Sequence, residues 1–201
     1  MPPVDKAQRR TELLAAARDV FVTKGYHAAK VDDIVTAAAV AKGTFYLYFK
    51  DKRSVFAELV ALVMQRISEG IVRVDVSADI EPQLRENVRA VVGVFLDDPP
   101  LTRLLFTFAP GLDTAFSDQL RGFYLGLRDY LAESLSEGQS LGLVRPLDPR
   151  QCASFVIGGL KEVILDLALS EEVTDRERVE QAVMDLLSGM LLVWPPPSGR
   201  G

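Results

Sequence analysis

Between residues 42 and 53 the chain interleaves hydroxyls, aromatic rings and cations: Lys42-Gly43-Thr44-Phe45-Tyr46-Leu47-Tyr48-Phe49, then Lys50, Lys52 and Arg53. Tyr and Thr hydroxyls can bond phosphate oxygens, and ammonium and guanidinium groups neutralise them. The start of a helix adds unpaired backbone N–H groups. Phe45 and Phe49 lie four apart, share a helical face and suit packing on neighbouring helices. Thr44, Tyr46, Leu47 and Tyr48 spread over the remaining surface. An aromatic core helix would account for Phe45 and Phe49 but not for two tyrosines beside four cations. The chemistry is that of a surface docked on a polyanion.

The preceding elements are spaced to present such a surface. Residues 6–24 carry Leu13, Ala17, Val20 and Phe21 at helical intervals, and Gly25 fits a C′ stop. A short helix is expected over 31–38, with Ile34, Val35 and Ala38 inward and Asp32 and Asp33 in its first turn, where the helix dipole favours acids. Residues 39–41 form a break, and a third short helix follows over 42–48. Helix, break and short helix is the helix-turn-helix layout. Asp51 is a candidate N-cap for a long helix to about residue 74, with Val55, Leu59, Val63, Ile67 and Ile71 on its apolar face.

Beyond residue 79 the pattern stays helical. Pro82 suits a first turn, ahead of an apolar face from Leu84 to Leu96; Asp98-Pro99-Pro100 breaks it. Residues 101–109 form a short apolar helix ended by Pro110-Gly111. Residues 114–137, 150–169 and 175–194 complete the set, and 195–201 reads as a frayed tail. No period-2 strands and no internal repeat occur. The expectation is an all-α chain of about nine helices. A helix-turn-helix domain covers 1–53, the helix 51–74 joins the domains, and a larger helical domain covers 54–194.

Composition narrows the function. The 201 residues are 48% hydrophobic and 25% charged, enough for a sizeable core and against bulk disorder. No uncharged apolar run reaches a membrane span, and the N-terminus lacks a signal-peptide pattern, so a cytoplasmic protein with no membrane partner is expected. One cysteine, Cys152, excludes an internal disulfide, and one histidine, His27, leaves little for imidazole chemistry. With no zinc motif, P-loop or nucleophile elbow, the chain does not read as an enzyme; no metal and no cofactor are expected. Residues 1–53 hold ten Lys/Arg against six Asp/Glu, a balance of +4; residues 54–201 hold thirteen against twenty-two, a balance of −9. A basic start on an acidic body places an anionic partner at one end.

These residues resemble a known family. Leu14-Ala15-Ala16-Ala17 with Phe21 and Gly25-Tyr26, Val31-Asp32-Asp33-Ile34, Ala38 to Tyr46 and Tyr48-Phe49-Lys50-Asp51-Lys52 look like the N-terminal domain of the tetracycline-repressor (TetR) family of bacterial regulators. The resemblance covers residues 8–56. It implies that Lys42, Gly43 and Thr44 open a recognition helix in the major groove and that Tyr46 contacts DNA. It implies phosphate contacts for Tyr48 and Lys52, and leaves Leu47 and Lys30 near the DNA. Three positions depart from the family. Lys30 and Ala41 stand where Ser or Thr usually caps a helix, and Ala39 stands where the turn usually has Gly. A lost cap costs about 1 kcal/mol, and Lys30 can compensate electrostatically.

By the same resemblance the second domain binds a small-molecule effector and dimerises. Phe95, Phe106, Phe108, Phe116, Phe123 and Tyr124 make a mostly apolar cavity plausible, with Arg103, Arg128, Glu162 and Asp166 as groups to orient a polar ligand end. If the face of Glu162 and Asp166 looks inward, a cationic ligand is favoured; if Arg103 or Arg128 does, a carboxylate or acyl group is. Ile157, Gly158, Leu160, Ile164, Val183, Leu187, Met190 and Leu191 are candidates for a homodimer interface. The reading is a one-component regulator, a repressor released by its ligand from a near-palindromic double-stranded DNA operator and associated with the nucleoid when bound. The alternative is a helical carrier of apolar ligands that does not bind DNA.

Overall fold

The computed structural model describes residues 6–108, 114–170 and 175–193. Among them the chain is all-α, with nine helices: α1 (Lys6–Lys24), α2 (Val31–Ala37), α3 (Lys42–Tyr46), α4 (Lys52–Gly70), α5 (Ile80–Leu96), α6 (Pro99–Phe108), α7 (Thr114–Ser140), α8 (Pro149–Leu169) and α9 (Arg176–Leu191). The expected break at Pro110-Gly111 and the tail 195–201 lie outside the described residues. Helix α6 begins at Pro99 because proline's fixed φ suits the first turn, where no N–H partner is needed. Proline there starts a helix as well as ending the one before it.

The chain forms two compact units. The first comprises residues 1–65 with 100–117, the second 66–99 with 118–201. In the first, Leu13, Ala17, Phe21, Ile34, Phe45, Val55 and Phe56 form the buried core. Gly25 stops α1 with φ +78, its N–H donating to Phe21 O at 2.9 Å. Asp51 and Ser54 cap α4 reciprocally: Ser54 N–H donates to Asp51 Oδ1 at 2.8 Å, and Asp51 N–H donates to Ser54 Oγ at 3.2 Å.

In the second unit Val88, Val92, Val183 and Met184 join α5 to α9, with Leu84, Leu96, Leu160, Val179 and Leu187 packed around them. Ala132, Leu135, Ala153 and Leu191 form another cluster across α7, α8 and α9. Asp148 caps α8 and Asp175 caps α9. A chain of ions runs beside the first cluster. Asp97 accepts from Arg176 at 2.9 Å and lies 3.6 Å from Arg66; buried Glu180 accepts from Arg176 at 3.0 Å and from Arg89 at 3.3 Å. The Arg176 guanidinium turns Nη2 toward α5 at Gly93, where a Cβ would clash with it.

Candidate nucleic-acid interface

Helix α2 is built on an acid. The Asp33 carboxylate accepts the Lys30 backbone N–H at 2.9 Å and the Lys24 ammonium at 2.6 Å. Both hold it below the ordinary value of 3.8. These bonds replace the missing hydroxyl cap at Lys30, whose side chain remains exposed. The turn to α3 passes through Ala39 at φ 51, the one positive φ outside glycine among the described residues. An L-residue there is strained. Val40 N–H returns to Val35 O at 3.0 Å and closes the turn. Ala41 caps α3 without a side-chain hydrogen bond.

The two faces of α3 divide as the i, i+4 spacing requires. Phe45 is fully buried and Phe49 nearly so, their rings 5.7 Å apart. Tyr46 is 52% exposed and Leu47, just past the helix, 75% exposed. A Cβ on Gly43 would meet nothing within 4 Å, so the backbone at the start of α3 is open to close approach from outside. Thr44 and Tyr48 are half-buried. Lys42 is exposed and pairs with Asp32 at 2.6 Å, which holds its ammonium above the usual lysine value. The helix is shorter than expected: Leu47 N–H bonds Thr44 O in a tighter turn that ends it at Tyr46.

Two cations escape a reading of the short-range pattern. Lys6 and Arg10, on the first turns of α1, line a shallow groove with Ala7, Leu47 and Tyr48. Arg10 pairs with Glu58 at 2.6 Å and lies over the Phe49 ring at 5.5 Å. Their i, i+4 spacing places both on one face of α1. Only the fold brings that face beside the end of α3.

Lys52 makes its hydrogen bonds within the first unit. Its ammonium donates to three backbone carbonyls, Tyr26 O at 2.8 Å, His27 O at 3.0 Å and Ala29 O at 2.9 Å, and lies 4.8 Å from the centre of the Tyr26 ring.

The candidate ligand residues divide between the units. In the first, Arg103 is exposed, Phe106 half-buried and Phe116 buried, while Phe108 stacks edge-on against His27 at 5.4 Å and beside Tyr26 at 6.3 Å. In the second, Phe95 is half-buried, and Phe123 and Tyr124 are edge-on at 5.8 Å. Burial raises the Tyr124 phenol above its usual pKa. Arg128 pairs with its neighbour Asp129 at 2.9 Å. Glu162 and Asp166 face solvent on α8, so the condition for a cationic ligand is not met in the protomer.

Ile164, Val183 and Leu191 stand apart from the other candidate interface residues. They are buried inside the second unit, and Leu160 and Leu187 pack against its core. Ile157 and Met190 are half-buried and Gly158 is exposed. The apolar groups that α8 and α9 leave in solvent are Phe155 at 70% exposure, Leu186 at 68%, Val163 and Leu169. Small and apolar residues populate both faces of α8, so type alone did not tell the inward face from the outward one.

Residues 13–59 match the family described as "Bacterial regulatory proteins, tetR family". The chain is similar to the helix-turn-helix transcriptional regulator YdgC of Bacillus subtilis, 27% identical over 92% of this chain and 93% of that one. It is also similar to the fatty acid metabolism regulator protein of Bacillus subtilis, 23% identical over 90% and 95% of the two chains. Among solved structures, the fatty acid degradation regulator FadR from Bacillus halodurans superposes with a TM-score of 0.75 at 27% identity, covering 91% of this chain and 96% of that one. No helix among the described residues is long and apolar enough to cross a membrane.

Proposed function

We propose, from the match of residues 13–59 to the tetR family of bacterial regulatory proteins, that the chain is a DNA-binding transcriptional regulator of that kind, a repressor released from a near-palindromic operator by a small, mainly apolar effector. The observation that carries the reading is the outward face of α3. Tyr46 and Leu47 stand exposed at the end of the helix that Gly43 leaves open, and Lys30, Lys42 and Lys50 are exposed as well. Exposed apolar and phenolic groups on a short helix suit base edges and thymine methyls, and the flanking cations suit phosphates. Lys6, Arg10 and Tyr48 add a second phosphate-facing cluster.

Two recognition helices require two copies. The solvent faces of α8 and α9, with Phe155, Gly158, Val163, Leu186 and Gly189, are the proposed contact with a second protomer. Two-fold symmetry then gives two half-sites. Two relatives bear names tied to fatty acid metabolism. A fatty acid is therefore the first effector to test. Effector and operator must oppose each other equally by linkage.

Selection of duplexes from a random DNA pool at about 0.15 M salt tests the reading. A near-palindrome recovered by the wild type and lost by Tyr46→Ala is the expected result. Recovery of no common sequence by folded protein would overturn it. Added fatty acid should then lower affinity for the selected duplex; unchanged affinity across chain lengths would remove fatty acids as effectors.

A further inference from the structure

Lys52 is the first residue of α4, yet its ammonium reaches back 23 to 26 residues to the turn between α1 and α2. An ammonium has three N–H donors, and three carbonyl oxygens lie within 3.0 Å of this one. The Tyr26 ring closes a fourth side. The turn it grips is also anchored by packing: Tyr26 packs on Phe21 and Phe56, and Ala29 is buried. Ala29 leads directly into Lys30, whose carbonyl accepts the Asp33 and Ile34 N–H groups and so begins α2. Helix α2 in turn fixes α3 through the Val40 to Val35 bond.

We infer that Lys52 is a positioning residue: its ammonium locks the α1–α2 turn to the start of α4 and thereby sets how α2 and α3 meet DNA, rather than contacting a phosphate itself. The inference rests on the DNA-binding reading above. Moving the ammonium to a phosphate would leave three carbonyls without their donor, two of the bonds being partly buried. Charge-assisted bonds of this kind are among the stronger ones. Shape separates the two roles. A compact ammonium satisfies three converging acceptors, and a planar guanidinium on a longer stem does not. A phosphate contact tolerates arginine; a carbonyl cage rejects it.

The experiment compares wild type, Lys52→Arg and Lys52→Met by titration with the selected duplex over about 0.05–0.25 M salt, well below the melting transition so that lost stability alone leaves affinity unchanged. Amide exchange of the DNA-free proteins is followed at Asp33 and Ile34. Both variants should bind about tenfold or more weakly with an unchanged salt slope, and exchange at both amides should quicken about tenfold. A slope lowered by about one in Lys52→Met, with slope and affinity restored in Lys52→Arg, would make Lys52 a phosphate contact and overturn the proposal. Unchanged exchange would overturn it whether or not DNA binds. Failure of the wild type to bind any duplex would sink the DNA-binding reading instead, and exchange would still decide whether Lys52 holds the turn.

Discussion

Asp33 joins two parts of the first unit, taking the Lys30 N–H at the start of α2 and the Lys24 ammonium from the end of α1. Its pKa in the folded protein lies below the ordinary 3.8, first because of the Lys24 bond and then the Lys30 N–H. The stability it contributes is therefore complete above the ordinary value and is lost as pH falls below that value through the folded one. Asp33→Asn should lower the urea midpoint at about pH 6, and the gap to wild type should narrow as pH falls below 3.8. A gap that persists in acid would show that the carboxylate charge is not what matters. At this scale the sequence was legible where partners are near neighbours. Phe45 and Phe49 could be told from Tyr46 and Leu47 by a four-residue interval. The Lys52 carbonyls lie more than 20 residues away, and nothing local marks them.

The helix-turn-helix carries removable strain at the positions that depart from the family. Ala39 sits at φ 51, a conformation costing an L-residue about 1–2 kcal/mol. Glycine would relieve that and give back about 0.5–1 kcal/mol in unfolded-chain entropy. Ala39→Gly should therefore stabilise by about 0.5–1 kcal/mol. Ala41→Ser should add about 1 kcal/mol by capping α3. Thermal melts of the single and double variants check both, and no gain at Ala39 would show that the strain is already relaxed elsewhere. Element order was readable because helical periodicity, caps and Gly25 agree with one another. Ends were less so. Helix α4 stops at Gly70, short of the apolar spacing that continues to Ile71 and Val74, and α7 runs on to Ser140 through Gly138. Gly138 does not end it; the glycine is buried where a Cβ would lie 2.6 Å from Val144 Cγ2.

At the scale of the whole molecule, the proposed function requires two copies held at a fixed separation. Phe155 on the solvent face of α8 is the largest exposed apolar group on the proposed contact. Phe155→Glu should shift sedimentation from dimer to monomer and weaken binding to the selected duplex, because the second half-site no longer adds to the first. An unchanged sedimentation coefficient would move the interface elsewhere. The inward face of these helices belongs to the second unit's core, where the ion chain through Arg176 holds α9 against α5. Gly93→Ala gains about 1 kcal/mol of helix propensity but displaces a guanidinium bonded to buried Glu180, a loss of about 1.5–3 kcal/mol. The substitution should destabilise the wild type and stabilise Arg176→Ala. A cycle with the same sign in both backgrounds would exclude the coupling.

That opposition of sign leaves a trace beyond any single protein. Where a relative retains arginine at the position of Arg176, a side chain at the position of Gly93 must push the end of that guanidinium away from its ion-pair partners; where the arginine is gone, glycine there is only a liability. The two positions, one on α5 and one on α9, should therefore drift together through descent, glycine persisting with arginine and giving way to alanine without it.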